Sequence, residues 1–137
     1  MKLSRYFLTI GLLTTTAFFS CKKNNKNCVA GTGGNLAIVV FPKHHTVPIF
    51  NKANYLDTVF VKFNTNDAPS DGVYDTFFIG MAGNDHVRLE GLKCGKYYFL
   101  ATGFDTTIQQ RVVGAIPFTT DKNDGKTELT IPVTEVH

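Results

Sequence analysis

The stretch LEGLKCGKYYFLATGFD, residues 89–105, constrains the fold of this chain more than any other. Leu92, Gly95 and Tyr97 keep the L-x-x-G-x-Y spacing of a tyrosine corner. In that motif a Leu plugs the core, a Gly takes the turn and a Tyr hydroxyl bonds back to upstream backbone. Such corners belong to Greek-key arrangements of antiparallel strands. The motif dictates architecture and carries no chemistry of its own.

Period-two alternation extends the reading to the rest of the chain. Residues 35–41 (NLAIVVF) form an apolar run of strand length, expected to be buried on both faces and ended by Pro42. Residues 43–50, with two adjacent histidines and Pro48, read as a loop or an edge segment. Residues 58–63 alternate, with Val59, Val61 and Phe63 on one face. Residues 64–72 are dense in turn formers, and 74–81 return as a strand. In 86–90 Val87 and Leu89 point inward. After the corner, residues 97–104 should run through the middle of a sheet, since both faces are apolar. Residues 111–119 give another strand, with Gly114 and Pro117 as bulge or edge markers. A hairpin turn is expected at 121–125, and 127–133 closes the sheet with Leu129, Ile131 and Val133 inward. About seven strands and no amphipathic helical period predict an all-β, Greek-key β-sandwich of the immunoglobulin-like or transthyretin-like kind.

The first residues read as an address rather than as fold. Lys2 and Arg5 precede an apolar run over 6–19 that is short of the ~20 residues a membrane-spanning helix needs. The run ends in Phe18-Phe19-Ser20-Cys21, and a small residue followed by Cys at that place resembles a bacterial lipobox, with Phe18 where Leu is usual. The expected division is a lipoprotein signal peptide over 1–20, a lipidated Cys21 with a polar tether to residue 27, and a β-sandwich domain over 28–137. Several acyl chains on Cys21 would hold the protein to a membrane, at about 0.8 kcal/mol per buried methylene.

Charge and cysteine content narrow the function. The formal charge of +3 belongs to the leader and the tether. From residue 28 onward nine basic side chains face eleven acidic ones, formally −2. A nucleic-acid partner is therefore unsupported, because phosphate binding needs a basic face on the fold itself. With Cys21 assigned to lipid, Cys28 and Cys94 remain, an even count for an oxidising compartment. A disulfide between them is expected, with two unpaired thiols as the alternative, since spacing alone does not bring two Cα atoms within range.

The segments GGNLAIVVFP, HHTVPI and TVFVKFN, followed by the GLKCGKYYFLATGFD corner, resemble uncharacterised lipoproteins of Bacteroidetes-type bacteria and, more distantly, transthyretin-like and Cna-B-like β-sandwich modules. Pro48-Ile49, Val59-Val61 and the Leu92/Gly95/Tyr97 corner carry the resemblance. It implies a cell-envelope location at the outer membrane and no catalytic residues. Asn and Lys directly after Cys21 differ from the acidic signal of surface-exported members, so the periplasmic side is expected over the cell surface. Adhesion, assembly or ligand binding, with another envelope protein or a glycan, would suit such a module.

Chemistry-bearing residues are few. Ser70 is the only serine from residue 28 onward and has no G-x-S-x-G setting. Glu90 and Asp105 end or flank strands with nothing to link them to one cleft. No enzymatic activity is expected, and no cofactor. The sharpest competing reading is copper or zinc bound by His44, His45 and His86, with Asp85 beside His86 and the C-terminal His137 as a further candidate ligand. Adjacent His44 and His45 would face opposite ways on a regular strand, so one ion could take both only where the backbone is irregular. Asp121-Lys122-Asn123-Asp124-Gly125 partly matches a calcium loop but places its Gly one position early, and reads as a turn. Tyr55, Tyr74, Tyr98 and the Phe77-Phe78 pair are core rings or, if exposed together, an interaction surface without the Trp that glycan platforms favour.

Overall fold

The computed structural model describes residues 28–136. The expected signal peptide, lipidated Cys21 and polar tether, together with His137, lie outside the described residues. Eight strands follow in order: β1 (Thr32–His44), β2 (Val47–Pro48), β3 (Thr58–Phe63), β4 (Thr76–Ile79), β5 (Val87–Leu92), β6 (Gly95–Asp105), β7 (Gln110–Thr120) and β8 (Asp124–Glu135). They form one curled mixed sheet, a half-barrel, in the order β2-β1-β8-β7-β6-β3-β4, with β5 also paired to β1. The described residues are all-β, as expected, with one strand more than the pattern suggested.

The curl arises at a weak seam. β7 and β8 pair only at Val112 with Glu135 and Val113 with Thr134. Gly114 lies immediately beyond, where a Cβ would run into the Pro132 carbonyl, so glycine there lets β8 cross close over β7. The expected tight hairpin over 121–125 is thereby corrected. β8 leaves β7 and runs parallel to β1 over Asn35–His44, in register with Asp124–Val133. The turn chemistry is present, with Gly125 at a φ of 82°, but the strand it launches finds another partner. The remaining ladders are antiparallel.

Pro42 does not end the first strand, which continues to His44. On that side of β1, the partner changes from β5, last paired at Val40, to β2, first paired at Lys43. The missing N–H of Pro42 falls in this changeover, where a proline costs no ladder bond to a neighbouring strand.

Leu36, Ile38, Val40, Val59, Val61, Val87, Leu89, Tyr97, Phe99, Ala101, Val112, Ile131 and Val133 fill the concave face. The corner closes one end of this core. Leu92 is fully buried, the Tyr97 hydroxyl donates to the Lys93 carbonyl at 2.5 Å, and the Gly31 N–H donates to the hydroxyl at 3.3 Å. Gly95 has a φ of 146°, and a Cβ there would overlap the backbone of Ala30. Cys28 and Cys94 form a disulfide at this same end, with Cα atoms 5.1 Å apart.

Candidate functional site

At the opposite end the concave face turns polar. Along β1 the inward series Leu36, Ile38, Val40 ends in His44, and along β8 the series Ile131, Val133 ends in Glu135. On β6 Tyr97, Phe99 and Ala101 lead to Gly103 and Asp105, and on β3 Val61 and Val59 lead back to Asp57. Side chains alternate faces, so the residue that continues each inward series must also face in. Four strands thus deliver one histidine and three carboxylates to a single rim.

His44 is only 5% exposed. Its Nδ1 lies 2.8 Å from Asp105 Oδ2 and its Nε2 lies 3.3 Å from Glu135 Oε1. The first contact is a hydrogen bond; the second lacks the alignment of one, leaving Nε2 buried and unpartnered. Asp105 is itself fixed by the Thr107 N–H, which donates to Oδ1 at 2.8 Å. Partial burial pushes the Asp105 carboxyl up, but the Thr107 N–H, and then His44, outweigh it and hold the group below the usual carboxylate range. Glu135 is also held low, first by its own backbone N–H and further by the two histidine rings.

The geometric obstacle to a shared ion is removed by the β1–β2 turn. His45 and Thr46 take φ values of 47° and 72°, the left-handed pair that a two-residue hairpin demands and that Asn-Gly usually supplies. Two side-chain-bearing residues there cost of order 1 kcal/mol each. The turn brings the exposed His45 ring beside His44, with centroids 4.2 Å apart. One ligand atom from each of His44, His45 and Glu135 then lies within 4.8 Å of the others. His86 does not join them. It sits on the convex side, tilted against Phe41 at 5.4 Å and bonded to Asp85 at 2.9 Å. Glu135, and Asp105 behind His44, take the place that the sequence reading gave to His86.

Asp57 was missed entirely by the sequence reading. It is fully buried in the notch left by Gly103, where a Cβ would strike its carboxylate and Ile49. Neither of its carboxylate oxygens has a hydrogen-bond partner, and burial pushes its pKa from 3.8 up to about 7. Its N–H donates to Asn51 Oδ1 at 2.7 Å, and Asn51 in turn donates to the Asn84 and His86 carbonyls.

The convex face of β3, β4, β6 and β7 carries a second feature. Phe60 packs against Tyr74 and Phe77, and burial followed by the nearby Tyr98 raises the Tyr74 hydroxyl pKa. Beside them a groove of about 560 Å³ is lined by Tyr55, Leu56, Phe60, Phe104, Val113 and Val136 among others. Tyr55 stacks on Phe104 at 4.2 Å. Of the aromatic residues singled out from sequence, Phe78 faces the core while Tyr55, Tyr74, Phe77 and Tyr98 lie on or near this outer surface. Ser70 is exposed in its loop, Glu90 pairs with Arg88, and Asn123 accepts a bond from the Cys94 N–H, tying the 121–125 turn to the corner. Comparison with family models, curated proteins and solved structures finds no match.

Proposed function

We propose that this protein is a non-catalytic binding or assembly module of the cell envelope, anchored through lipid on Cys21 at the periplasmic side of the outer membrane. Its groove takes an apolar segment of another envelope protein. The observation that carries this reading is the convex apolar surface, where Tyr55 is 48% and Phe77 57% exposed beside the groove. Contiguous apolar area of this kind is kept on a folded surface where a partner covers it. A glycan fits less well, since Tyr55 and Phe104 spend one ring face on each other and the chain has no Trp. The transthyretin-like sandwich is part of the same proposal, supported by the two sets of four strands whose backbones pair with each other only at the short β7–β8 seam.

Site-specific photo-crosslinking in whole cells tests it. Benzophenone side chains at Leu56 and Val113 should give the same protein adduct, absent at Lys126 and lost when Tyr55→Asp is added. Equal labelling from all three positions, or none from Leu56 and Val113, refutes the groove as a binding surface.

A further inference from the structure

We propose that the hairpin end of the half-barrel is a binding site for one divalent zinc-class ion, held by His44 Nε2, an imidazole nitrogen of His45 and a carboxylate oxygen of Glu135. The site is distinct from the convex groove and stands whether or not the groove binds a partner.

Four observations converge on it. First, His44 Nε2 is a buried nitrogen without a hydrogen bond; among the described residues the other buried side-chain atoms in that state are the two Asp57 carboxylate oxygens and the Thr127 hydroxyl. A nitrogen in that position needs a partner that the protein does not supply. Second, Asp105 on Nδ1 selects the tautomer. With the Nδ1 hydrogen donated to Asp105 Oδ2 at 2.8 Å, the lone pair of neutral His44 is on Nε2 and points toward Glu135. A carboxylate behind a ligating imidazole is the usual outer support of a zinc site.

Third, the spacing suits the ion. Bonds of about 2.0–2.1 Å in a tetrahedron place neighbouring ligand atoms about 3.3 Å apart. His44 Nε2 and Glu135 Oε1 are already 3.3 Å apart. His45 is exposed, so a side-chain rotation can bring its ring nitrogen from within 4.8 Å to that spacing without moving the core. Fourth, the His45–Thr46 turn uses positive φ at two non-glycine residues, and its product is the approach of His45 to His44. Two imidazoles and one carboxylate leave a fourth position for water or a further donor. The donor set favours zinc over magnesium or calcium, which prefer all-oxygen ligation. The competing arrangement is an imidazolium at His44 lying between Asp105 and Glu135, with no ion. It leaves His45 without a role and predicts no metal uptake.

The test is zinc titration of the chelator-treated full chain, followed by native mass spectrometry and by the visible absorption of a cobalt(II) substitute. The expected result is one zinc per chain, a tetrahedral cobalt spectrum and a rise in Tm with zinc. His45→Ala and Glu135→Gln, both at solvent-accessible positions, should each weaken zinc binding at least tenfold. Asp105→Asn should weaken it about tenfold to a hundredfold while the cobalt spectrum stays tetrahedral, marking Asp105 as a positioning residue. His86→Ala should leave affinity unchanged. Absence of stoichiometric zinc, or binding that survives both His45→Ala and Glu135→Gln, overturns the proposal, as does loss of binding in His86→Ala with the fold intact.

Discussion

Asp57 should make the protein less stable as the pH rises from about 4 to about 7, and replacing it with Asn should remove that dependence. The acid is fully buried and its carboxylate oxygens are unpartnered, so its charged form is disfavoured in the fold. Its pKa is 3.8 when free and about 7 in the folded protein. Between those values the unfolded chain has lost the proton while the folded chain keeps it. Stability contributed by the protonated acid is therefore lost progressively from about pH 4 to about pH 7, and the loss is complete above that. The full displacement corresponds to about 4 kcal/mol. Asp57 lies at the rim of the half-barrel rather than at its middle, and solvent relaxation there reduces the working value to about 2 kcal/mol. With a urea slope of about 2 kcal/mol/M, Asp57 should lower the wild-type midpoint by about 1 M between pH 4 and pH 8. Asp57→Asn keeps the shape without the charge, so its midpoint should match wild type near pH 4 and exceed it by about 1 M at pH 8. The other titrating groups are common to both proteins and cancel in the difference. Urea unfolding at four pH values, with the disulfide intact, measures this directly. Parallel midpoint curves for the two proteins across pH would show that Asp57 ionises without cost, and would refute the reasoning.

Two further predictions concern the corner. Replacing Cys28 and Cys94 by Ser opens a loop with a sequence separation of 66, and the chain-entropy model gives a loss of about 4 kcal/mol. Denaturant midpoints of the variant and of the reduced wild type should agree; a variant as stable as the oxidised protein would count against it. Tyr97→Phe removes the hydroxyl that serves the Lys93 carbonyl and the Gly31 N–H and should cost about 1–3 kcal/mol with the strand pattern retained. Amide exchange at Gly31 should quicken in this variant, and unchanged exchange would place the stabilisation elsewhere.

The local layers of this protein were legible in its sequence because they depend on neighbours along the chain. The corner needs Leu92, Gly95 and Tyr97 within six residues of one another, and the alternation of Val59, Val61, Val87, Leu89, Ile131 and Val133 follows from the pleat alone. The inward facing of Glu135 and Asp105 was available in the same period, since each continues an inward series by two residues. What the sequence could not supply was which series end together. That was decided by the parallel pairing of β8 with β1, a long-range choice that no turn signal encodes and that the 121–125 turn actively disguised. The same pairing lets β1 run on through Pro42 and places His44 beside the end of β8. The polar rim is likewise tertiary: Gly103 gives no hint that it receives a carboxylate until β3 is laid against β6. His86, a residue of the right type one strand away, was excluded by a single consequence of that assembly. It projects from the convex face with Phe41, while His44 projects from the concave one, and a sheet with its core on one side keeps the two apart.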